Sequence, residues 1–288
     1  MMKSIAMLNG EFVDLSEPVI NMEDRGYQFG DGVYEVTHVY NGRYFALEWH
    51  IERLFRSLRE LSIPGIYTPE EIAGFHQAML DRSGFQEGGI YLQITRGTAP
   101  RSHAFPDLVV PCLTMTMRPG DHTKNAAQQA EGVRVITQPD IRWMRCDIKS
   151  LNLLGNVLSK QKAKEAGAFE AVLVRDDGIV TEGSSSNFFL VKDDVLWTHP
   201  ADNMILGGVT RRILMEKIAP KLNLHVVEKT FTMDFVKKAD EAFLTGTSTE
   251  VMPITRINRD PVGNGEPGEV TRKIQAAYQE LIQQACYR

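Results

Sequence analysis

At 288 residues the chain can make one large domain or two ordinary ones, and either would bury a substantial core. It is 43% apolar and 24% charged with no low-complexity stretch, the composition of a soluble globular protein. A net charge of −5 gives no reason to expect a polyanionic partner, so nucleic acid is set aside.

In chain order, Asn9-Gly10 and Asn41-Gly42 read as hairpin turns, the second joining residues 33–40 to 43–47. Ile51, Leu54, Phe55, Leu58 and Leu61 recur at helical spacing. Thr68-Pro69-Glu70-Glu71 opens a second helix, with Thr68 as N-cap, Pro69 in the first turn and Glu71 closing a capping box. Ile90, Leu92 and Ile94 alternate with polar neighbours as in a half-buried strand, and residues 108–117 form another. From Arg118 to Gly132 the chain turns polar, which predicts domains at 1–120 and 133–288 joined by a linker at 121–132. Beyond it come a strand at 133–138, a helix at 151–166, and hairpins turning at Asp176-Asp177-Gly178 and Lys192-Asp193-Asp194. Helices follow at 210–218 and 270–284. The expectation is a mixed α/β (α+β) chain of two domains.

The three cysteines, Cys112, Cys146 and Cys286, are far apart and odd in number. They suggest neither a disulfide framework nor, without CxxC or Cys/His clusters, a metal site. Reducing, cytoplasmic surroundings are the simplest expectation. The stretch before Asn9 is too short for a signal peptide, and no apolar run of about 18 residues predicts a membrane span.

Four stretches carry more than composition: RGYQFGDGVYEV (25–36), CDIKSLNLLGNVL (146–158), VTEGSSSNFF (180–189) and MILGGVTR (204–211). In this order they resemble the signature of the fold-type IV pyridoxal-phosphate enzymes. That family includes D-amino acid aminotransferases, branched-chain aminotransferases and aminodeoxychorismate lyase. The resemblance runs from about residue 8 to residue 282. It implies pyridoxal 5'-phosphate as cofactor and an active site between the two domains.

Such chemistry needs a lysine to carry the cofactor aldehyde, a carboxylate beside the pyridine nitrogen, and donors for the phosphate. By resemblance Lys149 is that lysine and Glu182 that carboxylate. Ser184, Ser185, Asn187 and Leu206 would lie beside ring and phosphate. Arg53, Val209, Thr210 and Thr247 would bind the phosphate, and Arg142 would lie near the ring phenolate oxygen. Alone, each has a plainer reading. Lysines are mostly solvated, Gly183 to Asn187 is a turn-forming run, and Arg53 shares its helix with Arg56 and Arg59. Lys149 also precedes Leu151, Leu153, Leu154, Val157 and Leu158, read as an apolar helix that would desolvate its amine and favour the nucleophilic form.

Within the family, the pattern resembles the D-amino acid aminotransferases. Pro100-Arg101-Ser102-His103 follows the strand QITRG and matches a loop that reaches into the partner subunit's site. There Arg101 and His103 would bind the substrate carboxylate with Tyr34, in a homodimer. Alone, the run is an exposed basic turn. Leu154 stands where branched-chain enzymes usually carry tyrosine, and RGYQFGDGVYE follows the D-type pattern. The implied reaction is ping-pong transamination, D-alanine and 2-oxoglutarate giving pyruvate and D-glutamate. Branched-chain L-transamination and aminodeoxychorismate lyase activity are the alternatives on the same fold. A non-catalytic binding protein would be expected to lack Lys149 or Glu182.

Overall fold

Asn-Gly pairs make the tight bends that sequence reading assigns to them. Asn9 (φ +49°) and Gly10 (φ +91°) join β1 (Ile5–Leu8) to β2 (Glu11–Val13). Asn41 (φ +48°) and Gly42 (φ +67°) join β3 (Gly32–Tyr40) to β4 (Arg43–Tyr44). Positive φ at both central residues lets the turn twist in the same sense as its strands. This computed structural model describes residues 5–108 and 110–288. Residues 1–4, at the start of the stretch read for a signal peptide, and residue 109, inside the strand expected at 108–117, lie outside the described residues.

The chain divides into two compact units. The first comprises Met1–Asp121, Ile148–Asn152 and Gln284–Arg288. It contains β1 to β4, α1 (Arg25–Phe29), α2 (Leu47–Glu60), α3 (Pro69–Ser83), β5 (Gly88–Thr95) and β6 (Cys112–Pro119). Its antiparallel sheet has the order β2-β1-β6-β5-β3-β4. Ile90, Leu92 and Ile94 alternate into a core with Leu113, Met115 and Met117, covered by Leu54, Leu58, Ile72 and Met79 of α2 and α3. Each such side chain contributes roughly 1.5–3 kcal/mol on burial. The Thr68 capping box forms as expected: Thr68 Oγ1 accepts from the Glu71 amide, and Glu71 Oε2 accepts from the Thr68 amide.

The second unit comprises His122–Asp147 and Leu153–Gln283. The polar run expected as a linker carries a 3-10 turn (His122–Asn125) that leads into α4 (Ala126–Glu131). Ala, Gln and Glu are good helix formers, and this local preference outweighs the lack of large apolar groups. Then follow β7 (Val133–Pro139), α5 (Leu154–Glu165), β8 (Glu170–Val174), β9 (Val180–Gly183), β10 (Asn187–Lys192) and β11 (Val195–Thr198). The helix expected at 210–218 is α6 (Val209–Ile213), a π-helical turn (Leu214–Ile218) and α7 (Ala219–Lys221). Pro220 explains the widening, since it has no N–H to donate and its ring crowds the carbonyl a turn earlier. The chain closes with β12 (His225–Glu228), α8 (Met233–Val236), β13 (Glu241–Gly246), β14 (Glu250–Ile257), β15 (Asp260–Pro261) and α9 (Glu269–Cys286). The mixed sheet runs β12-β11-β10-β13-β14-β7-β8-β9, with β15 on β14. Phe188, Leu190, Leu244, Met252 and Ile254 fill its core.

The helix expected at 151–166 begins only at Leu154. Residues 149–151 are extended against β3: Tyr34 donates to the Lys149 carbonyl (3.0 Å), Ser150 bridges Val33, and Leu151 donates to the Gly32 carbonyl (3.0 Å). Strand pairing there outcompetes the apolar run's helical spacing. Leu154, Val157 and Leu158 are 78%, 56% and 56% exposed, so they do not supply the desolvation expected of them. The buried side of α5 is instead Ser159 and Ala163.

Candidate active site

In the first unit, Lys149 is placed by its backbone. Its amide donates to Ser57 Oγ of α2 (3.2 Å), its carbonyl accepts from Tyr34, and its half-buried amine lies 4.2 Å from the Tyr34 ring centroid. Tyr34 stacks on Tyr91 with centroids 5.6 Å apart. Arg53, one helical turn before Ser57, is held by a buried carboxylate: Nε donates to Glu35 Oε1 and Nη2 to Glu35 Oε2, both at 2.8 Å. His50 Nδ1 lies 2.8 Å from the same Oε2. Burial alone would raise the Glu35 pKa, but Arg53 and then His50 hold it well below the usual carboxylate range. Burial pushes the His50 pKa down, against the pull of Glu35.

Arg101 and His103 lie on an exposed segment without regular structure, after β5. The Arg101 guanidinium carbon lies 4.8 Å from the Phe29 ring centroid, and the His103 and Phe29 rings are 5.6 Å apart.

In the second unit, Glu182 sits on β9, buried, as the acceptor in a tight cluster. Arg142 Nη1 donates to Oε1 (2.5 Å), Asn187 Nδ2 to Oε2 (2.8 Å), and the Leu206 amide to both oxygens (3.1 and 3.2 Å). Burial pushes the Glu182 pKa above its ordinary value despite Arg142, and the nearby Asp140 adds to the rise. Arg142, expected near a phenolate oxygen, is engaged by two carboxylates. Besides Glu182 it binds Asp140 through Nε and Nη2, at 2.9 and 2.8 Å. Asn187 also donates to the Leu206 carbonyl (2.7 Å), so Glu182, Asn187 and Leu206 form one hydrogen-bonded unit. Gly208 has to be glycine here, because a Cβ would meet Asn187 Oδ1 at 2.1 Å. It N-caps α6 without a side-chain bond, and buried Val209 and Thr210 form the first turn. Thr247 lies half-buried between β13 and β14. Ser184 and Ser185 donate their hydroxyls to the fully buried Glu170, the latter at 2.7 Å.

The residues present fit a phosphorylated pyridine aldehyde. A partly buried primary amine, a buried carboxylate with raised proton affinity, and an uncapped helix start are the groups such a molecule needs. On either side of Thr247, the buried hydroxyls of Thr245 and Thr249 have no hydrogen-bond partner among the described residues, as donors awaiting an anion would.

Sequence reading missed Glu35, Asp140, Glu170 and Arg25. Glu35 could have been found: it falls in phase with Val33, Thr37 and Val39 on the buried face of β3, where a charge requires a partner. Arg25 and Asp140 each have one partner nearby, Asp31 and Arg142, but the contacts that give them their place, the carbonyls at 102–104 and the Thr181 hydroxyl, lie far along the chain, as do the serine partners of Glu170.

The amino-transferase class IV family model matches residues 32–257. D-alanine aminotransferase of Bacillus licheniformis is 45% identical over 276 residues, 96% of this chain and 96% of that protein. Among solved structures, a T.th. branched-chain amino acid aminotransferase with pyridoxamine 5'-phosphate superposes with a TM-score of 0.89 at 28% identity, covering 97% of this chain and 94% of that one. The Escherichia coli branched-chain enzyme gives 0.91 at 24% identity, covering 96% and 94%, which speaks for the fold. The two-unit α/β fold is that of an aminotransferase scaffold. This chain belongs to the class IV aminotransferase family, with the fold-type IV architecture its motifs imply.

Proposed function

We propose that this chain transfers amino groups between D-amino acids and 2-oxo acids, D-alanine and 2-oxoglutarate giving pyruvate and D-glutamate. Pyridoxal 5'-phosphate would be held on Lys149. The observation that carries this is the 45% identity to a D-alanine aminotransferase along 96% of the chain, against 28% for a branched-chain enzyme of similar fold.

When bound, the cofactor supplies an electron sink for the substrate Cα carbanion. Lys149 would hold the cofactor and, once the substrate amine has displaced it, its freed Nζ would act as the base that takes up the Cα proton. Glu182 would keep a proton at the ring nitrogen; burial raises its proton affinity, and Asn187 and Leu206 fix its oxygens. Arg53, Val209, Thr210 and Thr247 would bind the phosphate, while Arg142 and the turn with Ser184 and Ser185 would lie beside the ring. Tyr34, with Arg101 and His103 of a second copy in a homodimer, grips the substrate carboxylate and so selects the face of Cα that meets Lys149. The enzyme would work in the cytoplasm, in keeping with its three free cysteines. Among the described residues no helix is long and apolar enough to cross a membrane.

The test is a paired assay of D-alanine and L-leucine with 2-oxoglutarate. Preference for D-alanine is expected; preference for L-leucine would move the protein to the branched-chain reading, which the structural likeness favours. Lys149→Ala should abolish both transamination and the near-ultraviolet to violet absorbance of the purified protein.

A further inference from the structure

The segment carrying Arg101 and His103 has no helix or strand to hold it, and its residues 101–105 are all exposed. Fixing such a stretch costs backbone entropy at every residue. The cost is met by a buried group beneath it. Arg25, only 3% exposed, directs its guanidinium at three carbonyls of this segment. Nη1 donates to Ser102 (2.6 Å) and Ala104 (3.3 Å), and Nη2 reaches His103 (3.4 Å). Nε is occupied by Asp31 Oδ2 at 2.8 Å, which sets the plane of the fork.

Asp31 is itself braced. Arg96 Nε donates to the same Oδ2 at 2.8 Å, while its Nη1 and Nη2 bind the carbonyls of Ser62 and Leu61 at 2.9 and 2.7 Å. Arg96 also lies 3.6 Å beneath the Phe105 ring, pinning the far end of the segment. At the near end Phe29, on the same short helix as Arg25, packs on Arg101 and His103. A charged, forked donor is suited to this work because it satisfies several acceptors in fixed directions.

We propose that Arg25, oriented by Asp31 and braced by Arg96, is a positioning residue for substrate carboxylate recognition. It holds the 100–105 segment in the backbone course that presents Arg101 and His103. The inference rests on the proposed carboxylate-binding role of those two residues. Arg25 touches no substrate; it acts through the carbonyls of the residues that do.

The experiment compares Arg25→Lys, Asp31→Asn and Arg101→Ala in the holoenzyme. Lysine keeps a charge for Asp31 but cannot span the carbonyls, so KM for D-alanine and 2-oxoglutarate should rise about tenfold with kcat changed less than about twofold. Trypsin should cleave after Arg101 faster than in the parent, at temperatures well below unfolding, with the cofactor absorbance unchanged. Asp31→Asn should act in the same direction and carries the test if Arg25→Lys does not fold. Arg101→Ala reports on the underlying reading. If it raises KM while folded Arg25→Lys or Asp31→Asn leaves both KM and cleavage at the parental level, the positioning role is wrong and the carboxylate reading stands. If Arg101→Ala itself leaves KM unchanged, the carboxylate reading fails.

Discussion

Glu35 and Glu182 are both buried carboxylates facing an arginine, yet their proton affinities move in opposite directions. Glu35 meets Arg53 with both oxygens and also has His50, so attraction exceeds the desolvation penalty and its pKa falls. Glu182 meets Arg142 through one nitrogen, shares that arginine with Asp140, and feels the Asp140 charge; desolvation wins and its pKa rises. Burial is common to both, so the number and sharing of partners decides the sign. The first arrangement makes a rigid strut. The second leaves a carboxylate of raised proton affinity that shares its one arginine with Asp140.

The sharpest way to break this comparison is to remove each carboxylate in turn. Glu35→Gln leaves Arg53 with a neutral partner in a buried setting, and we expect a loss of about 3–5 kcal/mol in a denaturant melt. The same variant should flatten the acid limb of stability. Because the native Glu35 pKa lies below its ordinary 4.5, its contribution is present above that pH and is lost as pH falls below it. An unchanged acid limb would show that Glu35 is not ionised as described. Glu182→Gln should instead cost about 10²–10³ in kcat. Its effect on stability should be small and of opposite pH sense: a raised carboxyl pKa favours the native state below the ordinary 4.5, and that advantage is lost as pH rises from there through the raised native value. A large melt shift with intact turnover would reverse the assignments.

Asp140→Asn tests the sharing argument directly. With the second claimant neutralised, Arg142 attends to Glu182 alone, and the Glu182 carboxyl should titrate at lower pH by infrared difference spectroscopy. An upward shift would refute it. Thr68→Ala gives an exposed reference: loss of the cap should cost about 1 kcal/mol, independent of the acid limb.

Where sequence reading succeeded, the cause lay within a few residues. Asn9-Gly10 needed no partner to specify its turn, and Thr68 and Glu71 satisfy each other across one helical turn. Residues 151–153 mislead for the same reason: their spacing is helical, but β3 offers Leu151 a backbone partner more than a hundred positions earlier. The candidate site was read through motifs rather than through physics, and those motifs did not reveal Glu170 beneath the serine turn or Asp140 beside Arg142.

From its own order of residues this protein determined its turns, its caps, the inward faces of its strands and its family. Such features depend on groups that are neighbours in any conformation. Tertiary structure alone decided that Arg25 would meet carbonyls 77 to 79 positions away and that Arg53 would be gripped by Glu35. It also decided that Glu182 would be left with a shared arginine. Those outcomes depend on which strands pair and which charges lose their water together, and no window of adjacent residues contains that information.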